Sequence, residues 1–394
     1  MQEVTHRIQA LDSLRGVAAF VVFFGHFSLA FVPNWHGLLS QIQPSHGYGT
    51  GLLGNPMYVL ANSTAAVIFF FVLSGYVLTR TVWLAEGASP TAKSRAAFAG
   101  ILKRWPRLAL LSTITTALSA ALFLTHSYHY SQAALLSDSL WLSSFAGAQF
   151  PTSFEPSVWG GLVQGSLRTF WFGDAYYNTN LWTMKYELMG SVLVFAVATI
   201  MLWVSSGHMR VFILAATAVI TFLTSIYYCA FAAGLAIAIC EHRMPKISTR
   251  VSTGIVIIAL WSMGYYVNFG AYQMLPDAWN TLPDARLVVY LFASVLLVWA
   301  FGPRGGLSTL LAARWNQMLG KVSFALYLVH TPIIMSFSSW FFIKTLSYGP
   351  VVFLAANFLL TTALTFITSW WLTILDERWI GRLNRIVKLT PPTT

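Results

Sequence analysis

The sequence predicts an all-α, multi-pass membrane protein with about ten transmembrane helices and both termini in the cytoplasm. Apolar residues make up 57% of the 394 residues, aromatic residues 15% and charged residues only 9%, whereas the surface of a soluble domain needs far more charge. A helix needs about 20 apolar residues to cross a bilayer core of about 30 Å. Apolar runs of about this length recur along the chain, so composition and run length together predict membrane insertion.

Ten apolar runs are predicted to span the membrane. The fifth and sixth runs are separated only by Thr224 and Ser225, which predict a tight polar turn within one long apolar stretch. No separate soluble domain is visible, so residues 1–394 are predicted to form a single transmembrane domain. The longest polar interruption, 126–180, is expected outside, with an amphipathic or re-entrant segment around 133–145. The predicted spans are 17–31, 65–84, 108–124, 181–204, 211–224, 225–240, 251–269, 287–301, 319–342 and 351–375.

The distribution of Lys and Arg predicts the orientation, because positively charged loops stay on the cytoplasmic side. With an inner N-terminus, all but four of the 23 basic residues are predicted to lie at or near the inner face. Attraction of these basic residues to anionic lipid headgroups explains the net charge of +11. Membrane lipids are therefore an expected partner, and nucleic-acid binding is not expected. The first helix is expected to be retained, not cleaved as a signal peptide, and the location to be the inner membrane. The basic residues expected outside are Arg168, Lys185, Arg286 and Lys344.

Two ionisable residues lie on the first predicted span. Arg15 is at its cytoplasmic entrance and His26 follows eleven residues later. Eleven residues make about three helical turns and a rise of about 16 Å, so both side chains share one face at different depths. A neutral imidazole can take a proton from an attacking hydroxyl, and a guanidinium can hold a phosphate-bearing donor. His26 is therefore a candidate catalytic base and Arg15 a candidate donor-binding residue. The alternative is that Arg15 snorkels to lipid phosphates and His26 makes a structural hydrogen bond.

A second basic feature lies at the predicted start of the third span. Arg104 and Arg107 are three residues apart and share one helical face. Pro106 suits the first turn of a helix, and the free amide groups of a helix N-terminus favour anions. Anchoring to the inner membrane surface explains such a cluster by itself, and it is compatible with binding the phosphates of CoA. Arg104 and Arg107 are thus candidate donor-binding residues.

The fourth predicted span contains a carboxylate, Glu187, within two turns of the outer surface. A carboxylate can orient and charge-stabilise a catalytic histidine, which makes Glu187 a candidate partner of His26. Lys185 is two residues away and points elsewhere on the helix. The alternative interpretation of Glu187 is a buried carboxyl, protonated or paired for structural reasons.

The ninth span carries Tyr327 and His330 on one face, followed by Pro332, which weakens the local backbone ladder. These two side chains are suited either to binding a sugar hydroxyl or to holding a neighbouring helix. Ser74, next to Gly75 in the second span, favours close helix packing over nucleophilic chemistry.

The predicted outer segment from Trp141 through Trp182 is rich in aromatic residues. Such rings can stack on sugars, and they also form the aromatic belts of membrane proteins at the water interface. Trp182 is therefore a candidate for acceptor binding or for structure.

Metal and disulfide chemistry find little support in the sequence. His126 and His129 have a spacing that suits a metal, but nothing nearby supplies further ligands. Cys229 and Cys240 both lie in predicted spans and predict neither a disulfide framework nor a metal cluster. No metal and no permanently bound cofactor are expected.

Four separated segments, LDSLRG leading to His26, FFFVLSGYVLTR, WTMKYELMGS and LGKVSFALYLVHTP, resemble the acyltransferase-3 family of membrane-bound O-acyltransferases. The resemblance covers essentially the whole chain. The Arg15-to-His26 spacing, the Arg104 and Arg107 pair and the Tyr-Leu-x-His-x-Pro element carry it together.

The resemblance implies a bundle of about ten helices that takes an acyl group, typically acetyl, from cytoplasmic acyl-CoA. The implied acceptor is a hydroxyl of a sugar or polysaccharide at the outer face. By the same resemblance, His26 is the essential histidine, while Arg15, Arg104 and Arg107 engage the donor. Many relatives carry an additional extracytoplasmic hydrolase-like domain, and none is expected within residues 1–394.

Two other functions compete with acyl transfer. A transporter or flippase of a lipid-linked sugar would also place polar residues at several depths of a ten-helix bundle, although such proteins often show two related halves, and none are visible here. A non-catalytic membrane sensor or scaffold would need no specific partner for His26.

Overall fold

A computed structural model describes residues 2–36, 52, 54–84, 88–147, 154–266, 270–276, 285–311, 313–349 and 351–387. Their regular secondary structure is helical. The α-helices are α1 (Gln2–Phe31), α2 (Ser63–Trp83), α3 (Pro90–Leu124), α4 (Tyr130–Ser137), α5 (Leu140–Gly147), α6 (Val158–Val163), α7 (Thr169–Trp171), α8 (Trp182–Leu202), α9 (Gly207–Thr224), α10 (Ile226–Cys240), α11 (Thr249–Met263), α12 (Ala285–Phe301), α13 (Arg314–Ile333), α14 (Ser339–Thr345) and α15 (Asn357–Ile386). Short π-helical turns occupy Gln164–Arg168, Ile334–Ser338 and Val351–Ala356.

The helices confirm a multi-pass membrane protein. Within the described ranges, seven helical segments are long and apolar enough to cross a bilayer. The remaining three predicted spans fall on α10, α11 and α12, which have only 15, 15 and 17 residues. The count of ten spans and the cytoplasmic termini therefore stay predictions. The seven segments are Gln9–Phe31, Ser63–Trp83, Pro90–Leu124, Thr179–Leu202, Gly207–Thr224, Arg314–Tyr348 and Val351–Ile386.

The turn predicted at Thr224 and Ser225 is present and has a simple local cause. The backbone of Ser225 is extended, and its hydroxyl accepts a hydrogen bond from the amide of Tyr227 at the start of α10. A serine in this capping position supplies an acceptor that the first turn of a helix lacks. The long apolar stretch is therefore two helices, α9 and α10.

The helix N-terminus predicted beside Arg104 and Pro106 is wrong, because the helix begins well before them. The α3 helix begins at Pro90, and Ser89 caps it by accepting a hydrogen bond from the amide of Ala92. Pro106 therefore lies inside the helix, not in its first turn, and Arg104 is not at a helix N-terminus. The basic stretch before the apolar run lowers its hydropathy without breaking the helix, since alanine, lysine and arginine are good helix formers.

The first and thirteenth helices pack in parallel. Arg15 contacts Gly320 and Ser323 at the beginning of α13, and His26 contacts His330 further along both helices. A Cβ atom at Gly16 would overlap the backbone of Gly320, so the missing side chain is what allows this close approach. The parallel contact aligns Arg15 and His26 along one helix, α13.

The predicted segment around 133–145 folds as two short helices that cover the end of α1. Asp138, with φ of 56°, separates α4 from α5. The hydroxyl of Ser139 donates to the carbonyl oxygen of Leu29 at 2.6 Å. Leu142 and Phe145 are buried in the same cluster as the last turns of α1. This arrangement carries Trp141, which precedes Leu142, to the level of His26.

Candidate functional site: a charged cavity beside an imidazole pair

A cavity of about 200 Å³ lies inside the bundle. Its exposed end is charged: the side chains of Asp12 and Lys321 are 44% and 46% exposed. Its other end is buried, since Thr183 is 2% and Tyr327 is 7% exposed. The cavity therefore leads from an ionic mouth to an aromatic end inside the protein. It is lined by Asp12, Arg15, Val67, Phe70, Phe71, Leu73, Ser74, Val77, Leu78, Arg104, Arg107, Leu108, Thr183, Met184, Glu187, Lys321, Ser323, Phe324, Tyr327 and Asp376.

One wall of the cavity is a compact ionic network between α2, α3 and α8. The guanidinium of Arg104 donates to the carboxylate of Glu187, and its Nε donates to Ser191 Oγ at 2.8 Å. Ser74 Oγ donates to the same carboxylate oxygen of Glu187 at 2.9 Å. The two charged side chains are only 10% and 13% exposed. A buried charge needs such a partner, because its lost hydration must be replaced.

Arg15 has a different environment on the opposite wall. Its Nε donates to Ser323 Oγ at 3.0 Å, and its Nη2 donates to the carbonyl oxygen of Gly320 at 3.0 Å. Asp12 is further away, at 3.7 Å from Nη1, and both side chains are well exposed. Neutral groups thus fix the guanidinium in place, so its positive charge remains available to an anion in the cavity.

The mouth of the cavity combines further charges. Arg107 lines it and is exposed to solvent. Asp376 of α15 lines it too, and one oxygen of its carboxyl is buried without a hydrogen-bond partner. Lys321 pairs with Glu377 at 2.8 Å. Four of the residues that line the cavity are basic and three are acidic.

His26 lies outside this cavity, in contact with a second histidine. His26 Nδ1 is 2.8 Å from His330 Nε2. The ring of Trp141 stacks on His26, with centroids 4.9 Å apart at an interplanar angle of 24°. His330 is fully buried, whereas His26 is partly accessible. His26 therefore contacts two rings, one from α13 and one from the short helix α5.

Tyr327 lies between the cavity and the imidazole pair. Its ring contacts Phe70 in the cavity wall at 6.0 Å and His330 at 6.1 Å, measured between centroids. Its hydroxyl is 3.1 Å from Thr183 Oγ1 and donates to the carbonyl oxygen of Asn180 at 3.2 Å. One aromatic side chain thus separates the buried end of the cavity from the histidines.

Two residues of the site have no counterpart among the sequence candidates, Asn178 and Asn180. Pro332 has no amide hydrogen to give to the carbonyl oxygen of Leu328, and the amide of Asn178 donates to that oxygen at 2.7 Å. Asn180 Nδ2 lies 2.6 Å from Thr331 Oγ1 and 3.2 Å from His330 Nε2. The segment before α8 thereby completes the hydrogen bonds of a helix weakened by proline. Two asparagines just before a span, in a chain with a proline inside another span, are the signal that sequence reasoning passed over.

The sequence candidates are thus divided between two places. Arg15, Arg104, Glu187, Ser74 and Tyr327 meet around the cavity, together with Arg107 at its mouth, while His26 and His330 pair beyond it. The expected contact of Glu187 with His26 does not occur among the described side chains, because the carboxylate binds Arg104 and Ser74.

Trp182 belongs to neither place. Its ring packs against Tyr227 of α10 at 5.2 Å and Tyr186 at 5.9 Å between centroids. By contrast, Trp171 and Phe172 are 53% and 68% exposed, as expected for rings at a membrane interface. For Trp182 the geometry favours packing between helices.

The described residues contain no group of three metal-ligating side chains. Both cysteines are free, with Cys229 buried.

The protein is a helical, multi-pass membrane bundle. It encloses a basic cavity next to the partly accessible imidazole of His26, so it is a membrane protein with an internal polar site. The chain belongs to the acyltransferase-3 family, whose model, described as an acyltransferase domain, matches residues 8–373. The protein is therefore a membrane acyltransferase. The transporter alternative finds no support in this match. No curated protein and no solved structure matched the chain.

Proposed function

We propose that the protein lies in the inner membrane and transfers an acyl group, typically acetyl, from cytoplasmic acyl-CoA to a hydroxyl of an extracytoplasmic sugar or polysaccharide. One observation carries the proposal: a cavity with a basic mouth ends, inside the protein, one aromatic ring away from a histidine pair of which His26 is partly accessible. In this proposal the donor enters through the cavity, and the acceptor reaches His26 from the outer side.

The basic mouth supports a phosphate-bearing donor. Arg15 is held by the neutral groups of Ser323 and Gly320, and its ion pair with Asp12 is long, at 3.7 Å, and exposed. A donor phosphate would therefore find its charge only weakly compensated. Arg107 adds a second positive charge at the exposed end. Arg104 acts differently, since Glu187 already neutralises it. In this proposal Arg15 and Arg107 bind the phosphates of CoA directly, while Arg104 and Glu187 shape the wall.

The position of His26 supports the transfer step. Arg15 and His26 face the same helix, α13, and a separation of eleven residues corresponds to about 16 Å along a helix. A donor whose phosphates lie near Arg15 would therefore extend its thioester along α13 toward Tyr327 and His26. For the thioester to reach the imidazole, the side chain of Tyr327 must either change its rotamer or form part of the surface that contacts the acyl group.

The reaction is a direct acyl transfer. His26 accepts the proton of the acceptor hydroxyl as its oxygen attacks the thioester carbonyl carbon. The C–O bond forms and the carbonyl electrons move onto oxygen. When the carbonyl returns, the C–S bond breaks and the CoA thiolate leaves, taking the proton back from His26. The products are an ester and free CoA, and His26 is neutral again.

The crowded end of the cavity supports a short acyl group. Thr183 and Tyr327 are hydrogen-bonded to each other, and Phe70 closes the adjacent wall. The proposed sugar acceptor rests on the family, and the ring of Trp141 beside His26 offers a flat surface on which a sugar can stack.

The proposal is tested by assaying the purified protein with labelled acetyl-CoA. His26→Ala is expected to lose at least about a thousandfold in turnover, within the range of general acid–base catalysis. His208→Ala is a matched control because His208 is exposed on α9, and it is expected to keep wild-type turnover. Thermal unfolding in detergent checks that both variants fold.

Mass spectrometry of surface glycans from cells with and without the protein identifies the acceptor. We expect acetyl esters on glycan hydroxyls in cells with the wild-type gene, and we expect these esters to be lost in cells without the gene and in cells that carry His26→Ala. Full turnover by folded His26→Ala, or absence of acetyl-CoA consumption by the wild type, would refute the proposal.

A further inference from the structure

The hydrogen bonds of His330 determine which of its ring nitrogens carries the proton. His330 Nδ1 lies 2.9 Å from the carbonyl oxygen of Leu326. A carbonyl oxygen only accepts hydrogen bonds, so Nδ1 must be the donor. In a neutral imidazole the other nitrogen, Nε2, then holds a lone pair. His330 is fully buried, and an uncompensated positive charge there would be costly, so the neutral form is the stable one.

The lone pair on His330 Nε2 in turn determines the state of His26. His26 Nδ1 is 2.8 Å from this acceptor, so it must carry a hydrogen. Asn180 Nδ2 approaches the same atom at 3.2 Å and is also close to Thr331 Oγ1 at 2.6 Å. The shorter contact is with His26. The direction of hydrogen bonding therefore runs from His26 to His330 to the backbone of α13.

We propose that His330 is a positioning residue that keeps His26 in the tautomer with hydrogen on Nδ1, so that Nε2 of His26 is the atom that receives the acceptor proton. This inference rests on the proposed acyl transfer. His330 takes the place that a carboxylate occupies beside many catalytic histidines, where it fixes ring orientation and tautomer. It differs in being uncharged before the reaction, which suits a group inside the bilayer.

The same arrangement stabilises the imidazolium that forms during the reaction. When Nε2 of His26 gains a proton, the Nδ1–H bond to His330 becomes a charge-assisted hydrogen bond, which is shorter and stronger than a neutral one. The ring of Trp141, stacked on His26 with centroids 4.9 Å apart, offers its negative π-surface to the same cation. Glu187, engaged with Arg104 and Ser74, is not needed for this step.

Three substitutions at His330 separate positioning from packing. In the His330→Gln variant, the side-chain oxygen lies about where Nε2 was and can accept a hydrogen bond from His26. In the His330→Asn variant, the side chain is shorter, and its oxygen lies about where Nδ1 was. His330→Leu keeps volume and removes both nitrogens. We expect turnover to fall about 100-fold in the Leu and Asn variants, as when a catalytic histidine loses its orienting partner. The turnover of the Gln variant is expected to be at least about tenfold higher than that of the Leu and Asn variants.

The KM for acetyl-CoA provides the second measurement. Because His330 does not line the cavity, all three variants are expected to keep the wild-type KM for the donor while kcat changes. Val329→Ala is the packing control: Val329 is adjacent and buried, and its truncation is expected to lower thermal stability without lowering kcat by more than about twofold.

Failure of this inference and failure of the proposed function give different results. Equal turnover by the Gln and Asn variants, or near wild-type kcat in His330→Leu, would overturn the role of His330 while His26→Ala remained inactive. Turnover by folded His26→Ala would instead overturn the acyl-transfer mechanism itself. Because the Gln and Asn variants have the same functional group, their comparison tests the positioning role of His330 even if His330→Leu does not fold.

Discussion

The ionic wall of the cavity and the imidazole pair show two ways to keep polar groups inside a membrane protein. At the wall, Arg104 and Glu187 are both charged, and each compensates the other at 10% and 13% exposure. At the imidazole pair, His26 and His330 share a hydrogen bond at 2.8 Å with no carboxylate in contact among the described side chains. The first arrangement uses opposite charges, while the second uses complementary donors and acceptors.

The two arrangements differ in whether their polar groups can still interact with a substrate. An arginine whose charge is already matched by a carboxylate has little left for a substrate, and it serves mainly to hold helices together. A neutral histidine with one nitrogen satisfied keeps the other nitrogen available for proton transfer. Arg15 stands between these cases, since hydroxyl and carbonyl oxygens orient it without neutralising it.

The largest effect is expected from breaking the buried ion pair. Glu187→Ala leaves Arg104 charged and unpaired at a buried position, which is expected to cost about 3–5 kcal/mol of stability. Thermal and denaturant unfolding in detergent would measure this loss.

The double variant Arg104→Met with Glu187→Met removes both charges and is expected to recover most of that stability, because apolar replacements of a buried pair are often neutral. If Glu187→Ala unfolds like the wild type, the network does not hold these helices together. Donor KM in the double variant shows in addition whether Arg104 touches the donor.

An intermediate effect is expected at Arg15. Arg15→Met removes one charge-assisted hydrogen bond to a donor phosphate, worth about 1.5–3 kcal/mol, and should therefore raise the KM for acetyl-CoA by about 10- to 100-fold. Stability should change little, because the side chain is 38% exposed. Steady-state kinetics over a range of salt concentrations test the assignment, since added salt should weaken the wild-type affinity more than that of the variant. An unchanged KM would contradict donor binding by Arg15.

The smallest effect is expected at Asp12, whose carboxylate faces Arg15 at 3.7 Å. This is also an arginine–carboxylate pair, but the side chains are 38% and 44% exposed, so it contributes only about 0–1 kcal/mol. Asp12→Asn should leave the unfolding temperature nearly unchanged and slightly lower the donor KM, because one negative charge leaves the mouth. A loss of stability as large as that of Glu187→Ala would mean that burial does not explain the contrast between the two pairs.

Much of the fold could be predicted because it depends on local patterns. The turn at Ser225 follows from a capping serine inside an apolar stretch, and each predicted span overlaps at least one helix. Residues 267–269 of the predicted span 251–269 lie outside the described residues. The start of α3 could not be found from hydropathy, since residues 90–107 are basic yet favourable for helix formation. A hydropathy pattern locates the part of a helix inside the bilayer, and a helix can extend beyond it.

The candidate site was predictable residue by residue but not as an arrangement. The spacing of Arg15 and His26 is a property of one helix, and both do face α13. The partner of Glu187 was open to two interpretations, and the structure places the carboxylate with Arg104 of α3. Asn178 donates to the carbonyl oxygen of Leu328, which Pro332 leaves open in a distant helix, and Asn180 donates to the carbonyl oxygen of Tyr327 in the same helix.

By itself the sequence determined the membrane class of the protein, the approximate positions of its spans and the shared face of Arg15 and His26. These follow from composition and from the 3.6-residue period, which act within single segments. Only the tertiary structure decided that His26 meets His330, a residue 304 positions away, and that Glu187 belongs to Arg104. Which helices become neighbours depends on close packing at sites such as Gly16 and Gly320, and on the pairing of buried polar groups across the whole bundle.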